Sequence, residues 1–200
     1  MNVQITSEWP LKPFIFEDTQ LKDMDTNDIT TPVPSKEAAR LAELYRYEIL
    51  NTSAEPVFDQ IVETAAKVFN VPIALLSMVD LTEIFFKAKV GLEGNTFPRS
   101  TSLCTIAISN AEPMILHKGE TEHCLLSNPM IAAEFGLKFY ASIPLVTPND
   151  LIIGTLSIAD TKQRTFGAQE LDILQDLAKV VMHTLNLRLD LSMENDVRVA

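Results

Sequence analysis

The apolar positions of this chain change period several times along its length, and each change marks an element. From Ser35, the run SKEAARLAELYRYEIL places Ala38, Leu41, Ala42, Tyr45 and Ile49 at helical spacing, with Ser35 as the candidate N-cap. AEPVFDQIVETAAKVFN predicts a second helix, with Phe58, Ile61, Val62, Ala65 and Phe69 on one face. The pattern then turns β-rich. VPIALLSMVD ends at Asp80 and EIFFKAKVGL follows within a few residues, which predicts an antiparallel hairpin. STSLCTIAISN reads as a short helix, capped by Ser100 or Ser102 and ended before Pro113. PMILH is a third strand, and NPMIAAEFG is a helical turn or two closed by Gly136. FYASIPLVTPNDLIIGTLSIAD holds two strands around the turn TPND, and a long helix over roughly residues 169–189 ends the order.

Strands joined by tight turns make an antiparallel sheet, and helices before and after it imply an α+β arrangement. One domain is expected over residues 35–190. Residues 1–34 read as an acidic tail or arm: FEDTQLKDMDTNDITTPVP sets five acids against one lysine, while Trp9, Phe14, Ile15 and Phe16 could dock onto a body. Residues 191–200 read as a C-terminal tail.

Composition narrows the function. An apolar content of 46% is enough for one good core, and a formal charge of -11 without any Lys/Arg run argues against nucleic acid and anionic membrane as partners. No run is long and apolar enough for a membrane span, and MNVQITSEWP lacks the regions of a secretory signal. Two cysteines, twenty residues apart, fit a reducing compartment, so a cytoplasmic location is expected.

Six blocks, in order, then acquire a common meaning. RYEILNT with EPVFD, the hairpin VPIALLSMVD/FFKAKVGL, PRSTSLCTIAI, SNPMI, FYASIPL and IIGTLSIAD resemble the successive blocks of GAF domains of the bacterial signalling type. The resemblance covers about residues 36–185. It implies a PAS-like fold, a central antiparallel sheet of five or six strands with helices packed against it, that binds a small molecule or transmits a signal, often as a dimer. Relatives of this kind are mostly fused to kinases or cyclic-di-GMP enzymes. This sequence has no Gly-Gly dipeptide, no His-Glu phosphoacceptor box and no phosphate loop. The expectation is therefore an input module without an output module of its own.

Cys104 lies near the start of its helix, where the helix end favours a thiolate, but Leu103, Ile106, Ala107 and Ile108 surround it with apolar surface that disfavours one. Relatives often have His two residues later, where this chain has Ile106. Cys104 is thus expected in the core or pocket wall. Cys124 follows His123, without the local motif of bilin-binding photoreceptors or of free methionine sulfoxide reductases. A thiol redox enzyme using Cys104 and Cys124 is the catalytic alternative. No metal site is expected from His117, His123 and His183. By position in the fold, the resemblance implies a ligand site near Phe86, Lys87, Ser102, Cys104, Thr105, His117, Tyr140, Ser157 and Asp160. No cofactor is predicted beyond an unidentified small molecule, and the cyclic-nucleotide signature of certain GAF domains is absent.

On the last helix, Leu171, Leu174, Ala178, Val181 and Leu185 alternate in steps of three and four, with Leu177, Val180 and Leu187 as a second flank. Leu174, Ala178, Val181 and Leu185 are the expected homodimer interface, with residues 36–50 beside them. The leading expectation is a non-catalytic sensory module with a possible downstream signalling protein. A protein–protein interaction module without a ligand is the remaining alternative.

Overall fold

The structure, a computed structural model, describes residues 35–109, 111–117 and 136–199. The expected N-terminal arm, Cys124, His123 and nearly all of the helical turns expected near residues 128–136 lie outside the described residues. Helix α1 spans Ser35–Arg46 and α2 Pro56–Phe69; strands β1 (Ile73–Val79), β2 (Glu83–Val90) and β3 (Thr96–Pro98) follow. A 3-10 turn at Arg99–Thr101 leads into the short helix α3 (Leu103–Ala107), then β4 (Met114–His117), β5 (Phe139–Val146), β6 (Ile152–Asp160) and α4 (Ala168–Val199).

The strands form one antiparallel sheet in the order β3-β2-β1-β6-β5-β4. Two hairpins, β1–β2 and β5–β6, meet side by side through β1 and β6. At that seam a Cβ on Gly154 would lie 2.1 Å from the Ser77 carbonyl oxygen, so the close approach requires glycine.

Both faces of the sheet are covered. Phe58 and Val62 of α2 and Leu174, Val181 and Leu185 of α4 pack on Leu76, Met78, Ala141, Ile143, Leu156 and Ile158. The opposite face carries Ile73, Leu75, Phe86, Tyr140 and Ala159, beneath Leu103 and Cys104 of α3 and Ile108 at its C-cap. Every residue of β1 is therefore buried, and the outward-polar alternation of a one-sided sheet is absent.

Three elements differ from expectation. Helix α1 stops at Arg46 because Glu48 and Asn51 adopt positive φ; Tyr47 and Ile49 still reach the core through the turn. Strand β3, only three residues long, gives no readable period. Helix α4 runs on to Val199 rather than ending near Leu189, since LSMENDVRV has neither Gly nor Pro to stop it. Among the described residues no helix is long and apolar enough to cross a membrane.

The seam expected to join two copies is corrected. Leu174, Ala178, Val181 and Leu185 are all buried against the sheet of their own chain. Three-four periodicity cannot tell an intramolecular neighbour from an intermolecular one, and here the sheet takes that face.

Candidate functional site

Strand parity builds the site. Tyr140 and Ser142 alternate on β5, Thr155 and Ser157 on β6, and pairing sets Ser142 directly opposite Ser157. Their hydroxyls form a connected ladder on the α3 side of the sheet. Tyr140 OH lies 3.0 Å from Ser157 Oγ, Ser142 Oγ lies 2.9 Å from it, and Ser157 donates to Thr155 Oγ1 at 3.1 Å. Cys104 Sγ meets the ladder's outer end, 3.7 Å from Tyr140 OH.

Proton accounting gives the ladder a direction. Ser157 spends its proton on Thr155, so its oxygen accepts from Tyr140 and Ser142. On its other side the Tyr140 hydroxyl meets the Cys104 thiol. Burial, and next the neighbouring Cys104, push the Tyr140 phenol well above its ordinary value, so it keeps its proton. Ser77, opposite Thr155 on β1, is fully buried and its hydroxyl has no partner.

Beside the ladder is a cavity of about 60 Å³ between sheet and α3, lined by Leu75, Phe86, Phe97, Ser102, Cys104 and Tyr140 among others. None of its lining residues is charged. Ser102 caps α3, its Oγ accepting the Cys104 N–H at 3.1 Å, and so fixes the start of the helix that roofs the site.

The nine residues expected at a ligand site divide by strand face. Phe86, Ser102, Cys104 and Tyr140 line the cavity, and Ser157 stands directly behind Tyr140. Thr105 is turned away, donating to the Arg99 carbonyl at 2.6 Å and facing a separate groove. Lys87, His117 and Asp160 are on the other side of the sheet. Lys87 follows Phe86 on one strand, so it points oppositely, into Thr52, Ser53 and Glu55. The His117 ring packs 5.4 Å from that of Phe139, and Asp160 holds Lys162 N at 2.9 Å and the Arg164 guanidinium. Ser77, Ser142 and Thr155 were not anticipated. Counting by two from Tyr140 and Ser157 reaches Ser142 and Thr155, whereas nothing in the sequence marks Ser77.

Chemically, the site offers hydroxyls and one buried thiol in an apolar wall, with no charged residue lining it. Among the described residues no cluster of His, Cys, Asp or Glu is placed to hold a metal ion.

The family model described as "GAF domain" matches residues 53–185. The chain belongs to the GAF family. The fold agrees with this, an α+β domain on a six-stranded antiparallel sheet. A cyclic di-GMP phosphodiesterase of Pseudomonas aeruginosa is 31% identical over 160 residues; the match covers 78% of this chain and 27% of that protein, so this GAF chain spans about a quarter of its relative. Among solved structures, a domain of a two-component sensor histidine kinase protein from Sinorhizobium meliloti superposes with TM-score 0.56 at 15% identity, covering 72% of this chain and 99% of that one. The type II free methionine-R-sulfoxide reductase of Thermoplasma acidophilum gives TM-score 0.54 at 15% identity, with 75% and 94% covered. These two likenesses concern the fold.

Proposed function

We propose that this GAF domain is a non-catalytic sensor that takes a small, uncharged molecule into the cavity beneath α3 and passes the response to a second copy of the chain through α4. The observation that carries the reading is the uncharged cavity wall backed by a ready-made hydroxyl ladder. An ionic ligand would find no counter-charge there, while a small molecule with one polar group finds Tyr140 and Ser102. One water needs about 10–15 Å³, so the cavity suits a ligand of only a few non-hydrogen atoms.

The thiol's position supports the non-catalytic part. Cys104 is 4% exposed and meets a phenol that burial keeps protonated, whereas a nucleophile requires access and a neighbouring base. Hydrolysis of cyclic di-GMP is not carried over from a relative matched over 27% of its length. The dimer reading rests on a different stripe of α4 from the buried one. Ile173, Leu177, Val180, Thr184, Leu187 and Leu191 recur at steps of four and three, and Val180, Leu187 and Leu191 are exposed. In this reading the stripe of one copy packs on the same stripe of the other about a two-fold axis, the commonest symmetry of homodimers.

Assays with free methionine sulfoxide and with cyclic di-GMP test the reading. Absence of turnover of either is expected. Turnover of the sulfoxide that Cys104→Ser abolishes would replace this reading with the redox enzyme.

A further inference from the structure

At one end of the sheet, away from the cavity, α1, the Arg99 turn, the end of α3 and the β5–β6 turn surround an open groove of about 470 Å³. Its volume is within the range of small-molecule sites. Lys36, Arg40 and Arg99 face it, with Glu37 and Asp150 as the acids. Three cations against two acids leave one net positive charge, in a chain whose formal charge is -11.

The two arginines are used differently. Arg40 is engaged through all three nitrogens: Nε and Nη2 each reach Glu37 at 2.8 Å, and Nη1 reaches the Val79 and Ile152 carbonyls at 2.7 and 3.5 Å. Arg99 makes all three of its bonds from Nη1, to Glu37 Oε1 at 2.7 Å and to the Asp80 and Leu81 carbonyls at 2.8 and 3.3 Å. Its Nε–H is buried without a partner. None of these bonds uses the Nε/Nη2 edge, the edge with which Arg40 grips Glu37. Glu37 does not supply an acceptor there: it meets Arg99 through Nη1, and its other two bonds go to Arg40. Burial pushes its carboxyl up, but the bonds from Arg40 and Arg99 outweigh this and hold it below the ordinary value, so it stays a carboxylate with its charge shared between them.

We propose that this groove is a second binding site, for the oxyanion of a small molecule, either a carboxylate or a phosphate. Arg99 takes the oxyanion on its unused edge, where a guanidinium makes two parallel hydrogen bonds. Lys36, exposed on the first turn of α1, supplies the second positive charge. Asp150, on the opposite lip, carries like charge and so excludes ligands with a second anionic group on that side. The site shares neither residues nor chemistry with the uncharged cavity, so it stands or falls separately from the sensor reading.

Titrating the 15N-labelled full chain with sodium phosphate, and separately with sodium acetate, at constant ionic strength tests it. Saturable shifts are expected in the amides of Glu37, Thr105, Ser109 and Leu151. Saturation with one salt alone assigns the site to that oxyanion class. Lys36→Ala, an exposed change, should weaken binding at least threefold. Arg99→Lys, which keeps charge but loses the fork, should weaken it at least tenfold. Shifts with neither salt, shifts that sodium chloride reproduces, or affinities that Lys36→Ala leaves unchanged would overturn the proposal.

Discussion

Lys87 Nζ lies 2.6 Å from Glu55 Oε1, and the lysine side chain is wholly buried beneath α2. The ammonium also donates to Thr52 Oγ1 and the Ser53 carbonyl, and it stands 5.7 Å from the centre of the Phe58 ring. Arg188 of α4 reaches the same carboxylate oxygen at 3.1 Å. One ion cluster therefore ties β2, the loop before α2, and α4. Removing one partner of a buried pair costs about 3–5 kcal/mol. Lys87→Ala should fall toward the lower end, since Glu55 keeps Arg188; Lys87→Met, which retains the stem, should cost less. Urea denaturation of both variants measures the difference.

The same cluster sets an acid limit. Burial raises the Glu55 carboxyl, but Lys87 and then Arg188 outweigh it and hold it below its ordinary value of 4.5. Glu37 is lowered in the same way by Arg40 and Arg99. A depressed carboxyl contributes stability that is complete above the unfolded-state value and lost as pH falls through the folded one. Stability should thus decline as pH drops below about 4.5, and Glu55→Gln should flatten that part of the curve. Urea midpoints taken between pH 3 and 7 decide this; a variant with unchanged slope would contradict it.

Tyr140→Phe removes the outer rung of the ladder. It takes a polar partner from both Ser157 and the Cys104 thiol and should destabilise the fold by about 1–2 kcal/mol. Because Cys104 is covered, a thiol reagent should label it only as fast as α3 opens. In a Cys124→Ser background, where Cys104 is the one thiol left, labelling at the rate of a free thiol would show the site to be open and the thiol reactive.

Gly154→Ala should be among the most damaging small substitutions in the domain, because its methyl group would collide with the Ser77 backbone where the two hairpins meet. Strain of this kind costs about 1–3 kcal/mol or more. A melting temperature equal to wild type would refute the close approach of β1 and β6.

Two faces of α4 give opposite outcomes. Leu187→Glu, on the exposed seam, should halve the solution mass and leave the monomer folded; Val181→Glu, in the core, should unfold it. Light scattering with circular dichroism separates the two. A folded dimer in the Leu187 variant would remove this stripe as the interface.

The architecture was legible in the sequence because its elements are local: helical periods around Phe58 and Leu174, two tight hairpins, and six blocks in family order. The site was legible only in part. Phe86 and Lys87 are consecutive, and β1, β5 and β6 are buried on both faces, so no polar alternation told which side a residue faces. Lys87, His117 and Asp160 were assigned to the cavity on family position, and each lies across the sheet from it. The dimer seam failed for a related reason: Val181 and Val180 both fit a three-four repeat, and only packing decides which meets the sheet.

Native mass spectrometry of the gently purified chain tests the central claim most directly. The account predicts twice the 22.3 kDa chain mass plus a small excess, released on denaturation as an uncharged compound of few heavy atoms. The bare chain mass, unchanged by denaturation and by gentle extraction conditions, would contradict it and favour a module that binds only other proteins.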